Sequence, residues 1–282
     1  MERKKIAIVG TGLIGGSLAI RLHEKKLSSR LIGVDADPDH ARKALELELV
    51  DEILTLDEAI NSAEVIILAI PVDAMVSLLP GLLDKIDNQI VIDLGSTKSQ
   101  LADAVKAHPK RGRYVATHPM WGTEYSGPAA AVHGAYDNKA VIICNAEESD
   151  DDALEWVKHM YRKIGMHLLE MEAHAHDLHA AYVSHISHIT SFALANTVLQ
   201  KEKEENAIFE LASAGFESTV RLAKSNPAMW VPIFLQNREN VLDVLNEHIE
   251  QLKRFRDSIQ NGKESELKGL IEEANKIRRI IR

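Results

Sequence analysis

The sequence predicts an α/β fold: a doubly wound parallel sheet in the N-terminal part, followed by an all-helical C-terminal part. Three observations carry this. Over residues 1–171 short apolar runs alternate with longer amphipathic stretches. The first five runs are apolar and β-branched at consecutive positions, the pattern of strands covered on both faces. After residue 171 such runs stop, and helical period continues to residue 282.

The first strand is expected at 5–10 (KIAIVG), and a helix follows at 15–26. The next strand, 31–35 (LIGVD), precedes a helix at 38–46, and the strand 65–70 (VIILAI) precedes one at 73–83. Strands at 89–95 (QIVIDLG) and 114–118 (YVATH) flank a helix at 99–107. The last two strands, 139–145 and 166–171, flank a helix at 149–164. Each strand-helix-strand step reads as a parallel crossover unit. Helices are then expected at 171–200, 206–214, 217–224, 227–261 and 263–282. The break at 171 divides the chain into domains 1–171 and 172–282. It has no Gly/Ser linker, so the helical domain should pack directly on the sheet domain.

Composition narrows the function classes. The 282 residues carry 33 Lys+Arg against 42 Asp+Glu, a net charge of −9. A nucleic-acid binder that works by counterion release needs a basic face, so no nucleic-acid partner is expected. One cysteine, Cys144, cannot form an internal disulfide and suits a reducing compartment. The basic start MERKK leads into a glycine-broken run with no signal cleavage site. No apolar stretch reaches the roughly 18 residues of a membrane span. A soluble, cytoplasmic protein without a membrane partner is the expectation.

The segment Gly10-Thr-Gly12-Leu-Ile-Gly15 follows the first strand at once and opens a helix. In that context the first glycine makes the tight turn and the second admits a pyrophosphate. The third lets helix and strand pack closely, while the helix N-terminus supplies amide donors. A P-loop would need lysine where Gly16 stands. The N-terminal domain therefore reads as a Rossmann-type dinucleotide-binding domain, with Gly10, Gly12, Leu13, Ile14 and Gly15 at the cofactor. Asp35 ends the second strand, where a carboxylate accepts from ribose hydroxyls and repels a 2′-phosphate. No arginine follows until Arg42, so NAD is expected over NADP.

Ligands of such sheets bind outside the carboxyl ends of the strands. Pro71, Ser96 and His118 stand there with the glycine turn and Asp35. Histidine is the usual acceptor of a hydroxyl proton near neutral pH, which makes His118 a candidate base whose rate should rise between pH 5 and 8. The bland alternative is a loop histidine capping the turn before Pro119. Five of the 13 histidines lie in 172–188. They lack a cysteine partner, and Asp177 is the one carboxylate among them, so no metal is expected. His185 is in register with Leu178, Tyr182 and Ile189, as a buried packing residue would be. His188 shares a stripe with Ser184 and Phe192 and is available to donate to a substrate.

Five segments in order along the chain, VGTGLIGGSLA (9–19), DLGSTK (93–98), THPMWGTEYSG (117–127), SHISH (184–188) and RLAKSNPAMW (221–230), give it a family likeness. It resembles the prephenate dehydrogenases, whose close relatives are the arogenate dehydrogenases of the same route to tyrosine. The resemblance implies NAD-dependent oxidative decarboxylation of prephenate to 4-hydroxyphenylpyruvate. Arogenate is the rival substrate, and a non-catalytic NAD-binding dimer is the remaining reading. It also implies roles: His118 as the catalytic base, and Ser96 bonded to both that histidine and the substrate hydroxyl. Thr123 and Glu124 would lie on the substrate-side loop. His188, Arg221 and Trp230 would bind substrate, with Arg221 on a carboxylate. The helical domain would form a homodimer, with residues 213–218 reaching the partner's site. Two positions depart from the family pattern: Ser187 stands where a relative has proline, and Ser218 where it has an acidic residue.

Overall fold

In the computed structural model, residues 3–204 and 208–280 are described. β1 (Lys4–Val9) sends Ile6 and Ile8 to one face and Ala7 and Val9 to the other, all of them buried. It is followed by α1 (Leu13–Glu24), β2 (Ser28–Val34) and α2 (Pro38–Glu46), the last opened by the Asp37 carboxylate accepting from the Asp39 amide. A two-residue edge strand, β3 (Glu52–Ile53), and α3 (Leu56–Ser62) come next. β4 (Val65–Leu68), α4 (Val72–Lys85), β5 (Ile90–Asp93), α5 (Ser99–Val105) and β6 (Tyr114–Pro119) repeat the alternation. β7 (Ala140–Cys144), α6 (Asp151–Lys163) and β8 (His167–Met171) complete one eight-stranded sheet in the order β3-β2-β1-β4-β5-β6-β7-β8.

The apolar alternation supplies a core on each face. Val65 and Ile67 of β4 join Ile6 and Ile8 on one side, while Ile66 and Leu68 join Ala7 and Val9 on the other. Strand order reverses about β1 and β4, the topological switch point outside which such sheets bind ligands. The sheet is not parallel throughout. β7 runs antiparallel to β6, in register His118 with Ile142, and β8 is parallel to β7. The expected sheet therefore needs one correction, a reversed pair at one edge. β3 and α3 were also not expected, although Thr55 and Glu58 form a reciprocal capping box that marks the start of α3.

Beyond β8 the chain is helical: α7 (Ala173–Ala180), a π-helical turn at Ala181–His185, and α8 (Ile186–Glu202). The expected single helix over 171–200 is thus interrupted by the π turn. In the expected helix 206–214, residues 206 and 207 lie outside the described residues. The rest is a 3₁₀ turn at Phe209–Leu211 leading into α9 (Ala214–Val220). α10 (Pro227–Gln236) stops at Asn237, so the expected helix 227–261 is two helices. Asn237 is 4% exposed, and its side-chain amide donates to the Asp177 carbonyl at 2.7 Å, which ties the break to α7.

The chain divides into two compact units, Met1–Asn237 and Arg238–Arg282. The second holds α11 (Arg238–Gln260) and α12 (Glu264–Ala274), ending in a 3₁₀ turn at Asn275–Arg279. The last two residues of the expected helix 263–282 lie outside the described ones. The change of texture at 171 falls inside the first unit, because α7 and α10 are bonded to the sheet's edge. Asp177 accepts from the Lys98 and Ser99 amides, and Gln236 accepts from Thr97 at 2.7 Å. Among the described residues no helix is long and apolar enough to cross a membrane.

Candidate active site

The glycine turn shows why its residues are glycines. Gly10 has φ +95°, and a Cβ there would lie 2.5 Å from the Ala69 carbonyl oxygen. A Cβ on Gly15 would run into the Gly10 carbonyl and lie 2.9 Å from Ile8 Cγ2. Gly12 is the N-cap of α1 and makes no side-chain cap, so the first amides of the helix are left for a ligand. A Cβ on Gly12 would meet only the Gly127 amide, at 4.0 Å. This is the cradle a pyrophosphate needs, and Leu13 and Ile14 form its first helical turn. Pro71, at the N-cap of α4, is exposed at the same edge.

Asp35 is committed further than expected. One carboxylate oxygen accepts from the Thr11 amide and the Thr11 hydroxyl, both at 2.8 Å, and the other from the Asp37 amide at 3.0 Å. A carboxylate offers about four acceptor positions, so about one is left for a ribose hydroxyl. Its negative charge still opposes a 2′-phosphate.

Ser96 and His118 owe their positions to a buried polar cluster at the ends of β5 and β6. The Lys98 ammonium and the Asp93 carboxylate form an ion pair with both side chains fully buried. Lys98 Nζ also donates to the Thr117 carbonyl at 2.9 Å. Asp93 accepts from the Tyr114 hydroxyl at 2.7 Å, the Thr117 amide at 3.1 Å and the Gly95 amide at 2.9 Å. The loop that carries Ser96 is therefore held at Gly95 and Lys98, and β6 is held at Thr117, beside His118.

His118 is 9% exposed. Its Nδ1 lies 2.8 Å from His176 Nε2, and His176 Nδ1 lies 2.8 Å from an Asp177 carboxylate oxygen. The expected partner was Ser96. Among the described residues Ser96 makes no hydrogen bond, and His118 is joined to α7 instead. Burial, His176, Lys98 and His185 together push the His118 imidazole well below its ordinary range. A ring so shifted stays neutral to lower pH than a free imidazole.

The third cluster joins the 123–127 loop to the helices. Arg221 Nη1 donates to Glu124 at 3.1 Å; the arginine side chain is 52% exposed and the glutamate 14%. The Glu124 backbone N–H, with Arg221, holds its carboxyl below the usual range. Thr123 Oγ1 accepts from the Tyr125 amide at 3.3 Å, which shapes the loop. His188 bonds the Ser184 carbonyl through Nδ1 at 3.1 Å and stacks on Trp230 with centroids 3.4 Å apart. Burial lowers the His188 pKa, and Arg221 lowers it further. Trp230 is itself buried, so it backs His188 more than it faces a ligand. His185, expected to pack, is 1% exposed and meets Trp230 edge-on at 6.0 Å.

The sequence reading did not single out Asp93, Lys98 or His176. The first two were visible as the charges of the otherwise uncharged DLGSTK segment. His176 was visible only as one of five clustered histidines, and its partner is 58 residues away.

The chain is similar along its length to known proteins. The family model described as "Prephenate dehydrogenase, nucleotide-binding domain" matches residues 18–170, and "Prephenate dehydrogenase, dimerization domain" matches 172–273. A prephenate dehydrogenase of Bacillus subtilis is 31% identical over 259 residues, 90% of this chain and 70% of the relative. The crystal structure of prephenate dehydrogenase from A. aeolicus, in complex with hydroxyphenyl propionate and NAD+, superposes with a TM-score of 0.91 at 29% identity. That match covers 100% of this chain and 99% of the other. Synechocystis arogenate dehydrogenase gives a TM-score of 0.77 at 27% identity, covering 99% of this chain and 100% of the other. With a nucleotide cradle at the sheet's switch point and the two family models matching residues 18–170 and 172–273 in order, this protein belongs to the prephenate dehydrogenase family.

Proposed function

We propose that this chain catalyses the NAD-dependent oxidative decarboxylation of prephenate to 4-hydroxyphenylpyruvate, a step towards tyrosine. The observation that carries the proposal is His118, a neutral imidazole at the carboxyl edge of the sheet that holds the glycine turn. NAD is the cofactor, and the residues fit it: Gly10, Gly12 and Gly15 would cradle the pyrophosphate and Asp35 would accept from a ribose hydroxyl. When bound, NAD+ would supply the acceptor for the hydride of the hydroxyl-bearing ring carbon, with the ring carboxylate lost as CO2 on aromatisation. His118 takes the hydroxyl proton, and Ser96 on the adjoining loop orients that hydroxyl. Arg221 and His188 hold the substrate's carboxylate end, with Thr123 and Glu124 on the loop opposite and Trp230 behind.

The division of labour we infer is 1–171 for the cofactor and 172–282 for substrate and dimerisation. Val183, Leu199, Leu211, Val231 and Leu235 are exposed on the helices, an apolar surface suited to a second copy. Residues 213–218 would then approach the partner's site. A reducing, cytoplasmic setting suits the buried Cys144 thiol.

Arogenate is the second reading, and Glu124 favours it: an ionised carboxylate beside Arg221 is a ready partner for an ammonium group. One assay separates the readings. Prephenate and arogenate are each supplied with NAD+ and with NADP+, and nucleotide reduction is followed. The expected result is turnover of prephenate with NAD+ at the highest kcat/KM. A higher kcat/KM for arogenate would move the assignment to the second reading, and no reduction with any pair would leave a non-catalytic dimer. In the same assay Asp35→Ala should weaken NAD+ and narrow its lead over NADP+, because the repelling charge is gone.

Arg221→Ala should raise the substrate KM at least about tenfold, about 1.4 kcal/mol. The guanidinium is half exposed, so the melting temperature and NAD+ affinity should hardly move. Arg221→Lys should recover only part of the loss, since a point charge replaces a planar fork. Steady-state kinetics with thermal melts check this. An unchanged KM would remove Arg221 from the substrate site.

A further inference from the structure

His118 touches α7 through one atom, and that contact decides which of its ring nitrogens is free. The Asp177 carboxylate is buried and accepts the Lys98 amide at 2.7 Å and the Ser99 amide at 2.8 Å. Burial works to raise its pKa, but hydrogen bonds from His176 and Ser99 outweigh this and hold it below the usual range. An ionised carboxylate only accepts, so His176 Nδ1, 2.8 Å away, carries a proton and donates it. A neutral His176 is then bare at Nε2. That bare nitrogen stands 2.8 Å from His118 Nδ1. Two ring nitrogens at this distance share one proton, and with His176 neutral that proton is carried by His118.

We propose that His176 and Asp177 are positioning residues that hold His118 as its Nδ1–H tautomer and so present an unprotonated Nε2 as the base. The proposal rests on the reading of His118 as the proton acceptor. The groups facing His118 agree with it. His176, Lys98 and His185 each oppose a positive charge on the ring, and Asp177 bonds His176 on its far side. The proton balance is complete. The substrate hydroxyl gives its proton to His118 Nε2, and its oxygen keeps the bonding electron pair. His118 becomes an imidazolium whose Nδ1–H is still donated to His176 Nε2, so the ring keeps its orientation through the step.

The test uses the full chain with ¹⁵N-labelled histidine. Long-range ¹H–¹⁵N correlation spectra report which nitrogen of His118 is protonated, with His118→Asn identifying the signal. The wild-type ring should be Nδ1–H. In His176→Phe that preference should be lost and kcat should fall about 10²-fold, with KM and the NAD+ Kd within about threefold. In His176→Gln the side-chain carbonyl can accept from Nδ1–H at the place of Nε2. It should restore the tautomer and at least about a third of the wild-type kcat. An Nε2–H ring in the wild type would overturn the proposal whatever the kinetics. So would an unchanged kcat in His176→Phe, or a Gln variant as damaged as the Phe variant at an unchanged melting temperature. If the wild type reduces no cofactor with either substrate, the dehydrogenase reading falls instead, and the ring signal alone still decides this one.

Discussion

His118→Asn is expected to lower kcat by about 10²–10⁴-fold and to leave NAD+ affinity nearly unchanged, the loss of one positioned general base. The substitution is well matched to the site. Asparagine can place its amide where Nδ1 stood and keep a donor to His176, while the acceptor at Nε2 disappears. Binding of the cofactor rests on the glycine turn and Asp35, which the change does not touch. Steady-state kinetics and a cofactor titration check it, and an unaltered kcat would remove His118 from the mechanism.

The wild-type pH profile belongs with this result. His118 is held well below 6.5 by burial, His176, Lys98 and His185, so kcat/KM should fall only well below that pH. The same shift has a stability sign. A histidine kept neutral in the fold binds its proton more weakly than in the unfolded chain. Stability is therefore complete above about pH 6.5 and declines as pH falls below it. His185, pushed down to about 4 mainly by burial, adds to that decline between 6.5 and about 4. Melting temperatures measured down this range should drop steadily.

Lys98→Met is the substitution expected to damage the fold most. It removes the cation from a pair in which neither side chain is exposed and leaves the Asp93 carboxylate buried without its counter-charge. Breaking such a pair costs about 3–5 kcal/mol. For a chain of this size that is a melting temperature lower by about 10 °C. The double change Lys98→Met with Asp93→Asn should recover part of the loss, because the stranded charge goes too. Thermal melts of the three proteins decide it. A single-variant loss under about 1 kcal/mol would mean that the carboxylate finds other compensation.

Several features of this protein are local, and the amino-acid sequence determined them by itself. The consecutive apolar residues of β1, β4 and β5 specify strands buried on both faces, whatever lies beside them. Gly10 is required by its own positive φ, and Gly15 by its approach to the Gly10 carbonyl, both local to the turn. Asp35 follows its strand directly, and His118 is placed at the carboxyl edge by the run YVAT before it. What the tertiary structure decided is everything that depends on a partner far along the chain. Nothing in AVIIC tells β7 to run against β6, since strand pattern has no direction. Helical period runs unbroken through Asn237, and the break there comes from a hydrogen bond to Asp177. The likeness to a family suggested Ser96 as a partner of His118, and nothing in the sequence pointed to His176, which bonds Nδ1 of that ring in the folded chain. Periodicity and propensity act over a turn or two of backbone. Hydrogen bonds between side chains 58 residues apart exist only once the chain has closed around them.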